Sequence, residues 1–325
     1  MKDSILIVRN LKVSYKLRGG IIRAVRGVSF KLMESESLCI VGESGCGKST
    51  LGLAISLSLP PNALIEEGEI LVNGANILKV NPASVRGRLV SLIPQDVGAA
   101  LSPLNTVGEI FNDVLSPIRS SKEDSYRIAS SILESLGFSD PYRILKSYPH
   151  ELSGGMLQRV LIALALSLNP KIIVADEPTS MIDASLRKDI VDLIRAIRSK
   201  YNVTTIIITH DIAISPSLCD ITAIMYAGKI VEIGPSRSIV ENPLHPYAIM
   251  LLKSIPRIKR TVRLKPIPGL PPDLSSPIKG CPIAPRCPNV IGDICNNIEP
   301  REYRLGDRLA YCHIYSGELH GTVPN

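Results

Sequence analysis

The fold is decided by the stretch Gly42-Glu43-Ser44-Gly45-Cys46-Gly47-Lys48-Ser49-Thr50. It follows the pattern G-x-x-x-x-G-K-S/T, comes directly after the apolar run Leu38–Val41, and opens a segment with a helical pattern. Glycines in such a loop let successive backbone N–H groups turn inward around an anion, and the dipole of the following helix adds to the attraction. We therefore expect a phosphate-binding loop in which Lys48 reaches the β- and γ-phosphates and Ser49 binds Mg²⁺.

A second apolar run ends in two acids. Ile172 to Ala175 are apolar, and Asp176 and Glu177 follow them. Because the carboxyl ends of parallel strands face the ligand crevice of an open α/β sheet, both carboxylates should lie beside the bound phosphates. Asp176 would hold Mg²⁺ through water, and Glu177 would act as general base on the attacking water.

The composition is that of a globular chain with an unusual C-terminal part. Of 325 residues, 45% are hydrophobic and 21% are charged, which excludes a disordered protein. Aromatic residues make up only 4%, which argues against nucleic-acid modules that stack bases on aromatic side chains. The formal net charge is +7, and the residues from Leu251 onward hold eleven Lys and Arg against six Asp and Glu. Ten of the 25 prolines lie between Pro256 and Pro300, so the chain changes character near residue 250.

The chain carries no sequence signal for export or for crossing a membrane. Met1 to Asn10 lack the apolar run of a secretory signal, and no stretch reaches about 18 uninterrupted apolar residues. We therefore expect a soluble chain in which any membrane role comes from a partner.

The seven cysteines fall into two groups. Cys39, Cys46 and Cys219 are scattered, whereas four others crowd together near the C-terminal end: Cys281, Cys287, Cys295 and Cys312. Without a signal peptide we expect reducing surroundings, where a thiol cluster binds metal more often than it forms disulfides. Four thiolates can close a tetrahedral Zn²⁺ site or hold a 4Fe-4S cluster. Five, seven and sixteen residues separate the four, which differs from the tight pairs of zinc ribbons.

Local patterns predict the elements that surround these motifs. Segments 5–15 and 24–32 read as strands, and 98–167 is mostly helical in pattern. Thr204 to Thr209 is a continuous β-branched run, typical of parallel strands that are buried on both faces. We also predict a helix over 185–200, a hairpin turning at Ala227-Gly228-Lys229, and a helix over about 246–254.

The segment Leu152-Ser153-Gly154-Gly155-Met156 resembles the signature motif of the ABC ATPases. The order of loop, helical insert, signature, acidic strand and downstream histidine is similar to that family across residues 1–235. The resemblance implies an α/β fold of the P-loop NTPase type, with a RecA-like core, an antiparallel β subdomain and a helical subdomain over about 98–167. It also implies that two subunits enclose two nucleotides, with Ser153, Gly154 and Gly155 of one subunit capping the ATP of the other.

Four smaller motifs of that family can be placed on this sequence. Tyr15 lies where the family has the aromatic residue that stacks on adenine. Gln95 resembles the glutamine that contacts Mg²⁺ and water and links to the membrane subunit. His210 resembles the histidine that contacts the γ-phosphate, and Asp183 falls at the D-loop position.

The C-terminal part resembles the extension of dipeptide and oligopeptide transporter ATPases. The resemblance is carried by Glu241–Tyr247, Ile267–Pro272, Gly280-Cys281-Pro282 and Pro285-Arg286-Cys287-Pro288. It implies an ATPase domain over 1–235 and an irregular extension over 236–325, in which the four clustered cysteines hold a 4Fe-4S cluster. Zinc, disulfides and unpaired thiols remain alternatives from the residues alone.

The resemblance implies the ATP-hydrolysing subunit of an importer for di- or oligopeptides, on the cytoplasmic face of the membrane. Its partners would be two transmembrane permease subunits, a second ATPase subunit and, indirectly, a solute-binding protein. Met156 with Glu177-Pro178-Thr179 resembles the subunit type called D, which pairs with an F-type subunit; a homodimer is the alternative. An oligosaccharide or other-solute importer is the second reading, and a soluble ABC ATPase acting on ribosomes or DNA is the third. The basic stretch Lys253–Lys265 contains no aromatic residue, so we expect no nucleic-acid partner.

Overall fold

A parallel sheet carries the predicted site. The computed structural model describes residues 4–116, 121–178, 184–255 and 266–316, and the side chains of 184–187 are outside this description. Five strands run parallel in the order β6, β7, β8, β3, β9. Their bounds are β3 Ser37–Val41, β6 Val90–Ile93, β7 Ile172–Asp176, β8 Thr204–Thr209 and β9 Ile221–Tyr226.

The register of this sheet gathers the predicted groups at one edge. Val41, the last residue of β3, pairs with Thr209, and Asp176 of β7 pairs with Ile208. Because β3, β7 and β8 end side by side, the loop after Val41 lies next to Asp176 and His210. All residues of these three strands are buried, as their continuous apolar runs predict.

An antiparallel sheet packs on the core near the phosphate-binding loop. Its order is β2-β1-β4-β5, and the strands are β1 Ser4–Leu17, β2 Gly20–Met33, β4 Ala63–Val72 and β5 Ala75–Asn76. Buried residues of β1 and β2 share one hydrophobic cluster with β3 and with the helix that follows the loop. The antiparallel subdomain implied by the family resemblance is therefore present.

The helical part predicted over 98–167 is also present. It contains α3 Val97–Ala100, α4 Val107–Leu115, α5 Lys122–Ser135, α6 Pro141–Lys146 and α7 Gly154–Ser167. Thr106 and Glu109 form a capping box at the start of α4, which satisfies free N–H groups of its first turn. The other helices are α1 Lys48–Ile55, α2 Pro82–Val85, α8 Ala184–Tyr201, α9 Ser215–Leu218, α10 Ser236–Glu241, α11 Pro246–Ser254 and α12 Gly292–Asn297.

Residues after 235 continue the core of the preceding residues. β10 Lys229–Pro235 pairs with β9 on one side and with β12 Arg308–Ala310 on the other, and β11 Tyr303–Leu305 completes the sheet. One hydrophobic cluster joins Val41 and Tyr226 to Tyr247 and Cys281. The predicted boundary between 235 and 236 stays a prediction, but the two parts share a sheet and a core. Most of the basic stretch Lys253–Lys265, namely residues 256–265, lies outside the described residues.

No helix within the described ranges is both long enough and apolar enough to cross a membrane.

Two of the cysteines that the sequence leaves scattered form a disulfide. Cys39 and Cys219 are joined with Cα atoms 5.6 Å apart, across 180 positions of sequence. β3 lies beside β9, with Leu38 opposite Ile221, so the sheet order brings the two thiols together. Their separation in the sequence gives no sign of this pairing, which depends on the order of the strands in the sheet.

This disulfide should contribute measurably to stability. A cross-link that closes so long a loop lowers the entropy of the unfolded chain. This raises the free energy of unfolding by about 3–5 kcal/mol. Reduction of the wild type should therefore lower Tm by roughly 5–15 °C. Thermal scans of the wild type and the Cys39→Ala/Cys219→Ala double variant, each with and without a thiol reductant, measure the effect. Equal Tm values of the oxidised and reduced wild type would contradict a stabilising cross-link.

Candidate nucleotide-binding site

The loop between β3 and α1 depends on glycines at several positions. Gly45 and Gly47 have φ angles of 78° and 101°, in the left-handed region that favours glycine. A Cβ on Gly47 would lie 2.1 Å from the carbonyl oxygen of Ala24, and one on Gly42 would lie 2.2 Å from that of Met225. At these two glycines the loop therefore contacts the backbone of neighbouring strands so closely that a side chain would not fit.

Lys48 stabilises this loop through hydrogen bonds to its backbone. Its side chain is buried, with the residue only 5% exposed, and Nζ donates to the carbonyl oxygens of Gly42 and Glu43 at 2.9 Å each. The amine thus lies within the curve of the loop, where an anion held by the loop N–H groups would meet it.

Asp176 and Ser49 form the candidate magnesium site. Asp176 is 9% exposed, and its Oδ1 atom has no hydrogen-bond partner in the described part of the chain. Burial raises the pKa of Asp176, while a hydrogen bond with Ser49 and the charge of Lys48 act in the opposite direction. A buried carboxylate oxygen without a partner, beside a hydroxyl, is a donor set that suits Mg²⁺. The predicted metal role of these two residues therefore fits their surroundings.

Glu177 and His210 lie together at the ends of β7 and β8. Glu177 has φ 47°, uncommon for a residue other than glycine, and its N–H donates to the carbonyl oxygen of Ile208 at 2.9 Å. Its Oε2 atom is 3.1 Å from Nδ1 of His210. The carboxylate is largely covered, with 17% of its side chain exposed, whereas 63% of the imidazole is exposed. Backbone strain of this kind is often retained at functional sites, and the pair can share a proton or orient water.

Tyr15 contacts the helix that follows the loop, and Gln95 follows the strand next to β7. The Tyr15 hydroxyl is 3.1 Å from Oγ1 of Thr50, the second residue after Lys48. Gln95 is exposed in the turn between β6 and α3, and β6 is the strand next to β7. Adenine stacking by Tyr15 and magnesium contact by Gln95 stay predictions.

The signature residues are on the helical part of the chain. Ser153 is the N-cap of α7 and accepts a hydrogen bond from the N–H of Met156 at 3.4 Å. Ser153 and Gly154 are exposed, and a Cβ on Gly154 would meet open space. An exposed helix N-terminus with free N–H groups can receive an anionic group. Asp183 lies outside the described residues.

The predicted metal-binding module of the extension is not supported. Cys281, Cys295 and Cys312 are buried and Cys287 is half-buried, but the described residues contain no group of three or more His, Cys, Asp or Glu placed to hold a metal ion. Burial raises the pKa of Cys281 to about 11 and that of Cys312 to about 12. The neighbouring thiols act in the same direction with a smaller effect. Binding of a metal by these thiols would release their protons. In the described residues, this arrangement supports neither a 4Fe-4S cluster nor a Zn²⁺ site.

One contact to the loop was missed from the sequence. Both terminal nitrogens of Arg286 donate to the carboxylate of Glu43, at 2.7 and 2.9 Å. These residues are 243 positions apart, so no local pattern links them.

Comparison with known families agrees with this arrangement. A family described as "ABC transporter" matches residues 25–180, which include the loop, Asp176 and Glu177. A second family, described as "Oligopeptide/dipeptide transporter, C-terminal region", matches residues 231–295.

Individual relatives match almost the whole chain. The dipeptide transport ATP-binding protein DppD of Bacillus subtilis is 42% identical over 304 residues, which cover 92% of this chain and 90% of the relative. The chain belongs to the ABC transporter ATP-binding proteins, in the dipeptide and oligopeptide group. The oligopeptide transport ATP-binding protein OppD of Salmonella typhimurium is 37% identical to this ABC ATPase, over 95% of the chain and 93% of the relative.

Solved structures agree with the ABC ATPase fold. The ATP-binding cassette MJ0796, solved as a dimer bound to ADP and phosphate, superposes on this ABC ATPase with a TM-score of 0.63 and 27% identity. The match covers 71% of this chain and 99% of the cassette. The P-loop NTPase fold of the ABC ATPases, with its mixed α and β architecture, is therefore confirmed.

Proposed function

We propose that this protein is the ATP-hydrolysing subunit of an importer for di- or oligopeptides. The observation that carries the proposal is the end-to-end similarity to dipeptide and oligopeptide transport proteins, which includes the C-terminal region that defines their group. The ATPase chemistry is supported by a braced phosphate loop beside a buried carboxylate with an unpartnered oxygen.

The residues at the loop divide the work of hydrolysis. Tyr15 packs against adenine, and the loop N–H groups and Lys48 hold the phosphates. Ser49, Asp176 and Gln95 would hold Mg²⁺, which when bound would neutralise charge on the phosphate oxygens. Glu177 accepts a proton from the water that attacks the γ-phosphate, and His210 contacts the phosphate and keeps Glu177 oriented through their 3.1 Å contact.

Two ATPase subunits close over the nucleotides. Ser153, Gly154 and Gly155 of each subunit cap the ATP held by the other, because the N–H groups that open α7 can meet a γ-phosphate. The partner is an F-type subunit. Closure moves the region of Gln95, which acts on two permease subunits at the cytoplasmic face of the membrane. A solute-binding protein delivers the cargo.

Reconstitution tests the substrate class. The protein is co-expressed with candidate permease, F-type ATPase and solute-binding proteins from the same genome, and the complex is placed in liposomes. Addition of a mixture of di- to pentapeptides should stimulate ATP hydrolysis several-fold, whereas maltooligosaccharides should not. Stimulation by the sugars alone would assign a sugar importer. Co-purification with ribosomes or DNA, and not with permeases, would favour the soluble ABC ATPase.

The 4Fe-4S cluster stays a separate hypothesis of this proposal. Its support is the crowding of the four cysteines in the sequence and the N–H groups of Asn289 and Ile291, which donate to the sulfurs of Cys287 and Cys295 at 3.4 and 3.3 Å. Ligation would require the thiols to deprotonate and turn toward one point.

Metal content after anaerobic purification decides this hypothesis. A brown protein with about four irons per chain is the result expected of the cluster. One zinc per chain in a colourless protein would indicate the alternative metal. A metal-free, folded protein would leave the four thiols with a packing role only.

A further inference from the structure

An arginine of the C-terminal extension forms a bidentate ion pair with the phosphate loop. Arg286 is the last residue of the 3₁₀ turn Ala284–Arg286 and immediately precedes Cys287. Its Nη1 and Nη2 atoms donate to Oε2 and Oε1 of Glu43, at 2.7 and 2.9 Å. A two-pronged pair of this kind fixes the orientation of the carboxylate as well as its distance.

The arginine is itself held rigidly. Its Nε atom donates to the carbonyl oxygen of Pro268 at 2.7 Å, and Nη1 also donates to the hydroxyl of Tyr226 at 3.1 Å. Only 4% of its side chain is exposed, against 26% for Glu43. The hydrogen bonds with Glu43 raise the pKa of Arg286. The guanidinium is therefore a fixed charge that locates Glu43.

Glu43 passes this constraint to the lysine of the loop. Its N–H donates to the hydroxyl of Tyr247 at 2.9 Å, and its carbonyl oxygen accepts from Lys48 Nζ, also at 2.9 Å. Tyr247 is fully buried and lies in α11, after residue 235. The extension thus supplies two contacts to Glu43, and the Lys48 amine, which is predicted to reach the phosphates, supplies another.

We propose that Arg286 is a positioning residue for the phosphate loop, which holds the loop in its nucleotide-binding shape through Glu43. Removing the guanidinium leaves the Glu43 carboxylate without its partner in a largely covered site. The loop then shifts or adopts several conformations, and binding of a nucleotide has to return it to the original conformation, which lowers the affinity. The inference rests on nucleotide binding at this loop, and on no assumption about the transported solute.

Nucleotide affinity is the first measurement. Arg286→Gln should raise the Kd for ATP and for ADP about tenfold, because misplaced binding groups cost affinity. At saturating ATP, kcat should stay within about twofold of wild type, since Glu177 and His210 are held by β7 and β8. Arg286→Lys keeps the charge but not the fork, so its Kd should rise only about threefold. This conservative variant also keeps the test valid should Arg286→Gln fail to fold.

A double-mutant cycle tests the route through Glu43. If Arg286 acts through this residue, Glu43→Gln, Arg286→Gln and their combination should raise Kd by similar factors, because all three remove the same contact. Multiplying effects in the double variant would show that Arg286 acts by another route and would overturn the inference.

Arg308 provides the matched control. Arg308 is another arginine of the extension, but it lies on β12 and not at the loop. Its Nη1 atom is 3.8 Å from Oε1 of Glu232, whose side chain is fully buried. Arg308→Gln should lower Tm while leaving the Kd for ATP within about twofold. Equal losses of affinity in both variants would reduce Arg286 to an anchor of the extension, and a folded Arg286→Gln protein with wild-type Kd would also reject the inference. Absence of ATP binding in the wild type would instead remove the proposed ATPase function together with the inference.

Discussion

Glu177→Gln should lower kcat for ATP hydrolysis by at least about 100-fold, within the range that general-base catalysis contributes. The amide retains the size and the contact with His210 but cannot accept the proton of the attacking water. Binding of ATP should change by less than about threefold, because Lys48 and the loop N–H groups are untouched. Rates of phosphate release at saturating ATP, with Kd from titration calorimetry, measure both quantities.

Glu36→Gln is the control for this substitution. Glu36 undergoes the same chemical change, but its carboxylate accepts from the N–H of Met33 in the turn before β3, whereas the loop follows the other end of that strand. Hydrolysis should stay within about twofold of wild type in this variant. Near wild-type kcat in Glu177→Gln would remove Glu177 from its role as the base.

Lys48→Ala should weaken ATP binding by about 100-fold or more. Two losses act together: the charge that meets the β- and γ-phosphates disappears, and the carbonyl oxygens of Gly42 and Glu43 lose the amine that joins them. The loop is therefore both less positive and less rigid. Titration of the variant with ATP in the presence of Mg²⁺ measures the effect.

Lys171→Ala removes a positive charge from an exposed position at the start of β7. Its Kd for ATP should remain within about twofold of wild type, which separates the local role of Lys48 from net charge. A Lys48→Ala Kd within threefold of wild type would contradict the assigned phosphate contact.

The parts of the site that the sequence predicts are those with local signals. The glycine spacing before Lys48 and the acids after Ile172–Ala175 each combine a motif with a strand, and the sheet register then brings them together. α11 has the predicted bounds Pro246–Ser254, because a proline start and an apolar face mark it. The hairpin of β9 and β10 turns at Ala227 and Gly228, as predicted.

The parts that escaped prediction depend on contacts between distant segments. β4 contains Glu66, Glu67 and Glu69, and these acids mask its strand pattern. β11 and β12 have three residues each, too few to show a period. The Cys39–Cys219 disulfide and the Arg286–Glu43 pair join residues 180 and 243 positions apart, and only the folded sheet brings them together.

The short hairpin of β11 and β12 has a consequence for dividing this chain. By pairing Ala310 with Glu232, it covers the edge of β10, and it leaves as the new edge a three-residue strand that contains Arg304. Short, charged edges resist pairing with other chains, whereas a longer open edge invites it. A fragment that ends at residue 235 would expose the full edge of β10 and the apolar surface under Tyr247. We expect such a fragment to aggregate, so the ATPase unit suggested by the motifs is not a unit that can be cut out of the protein.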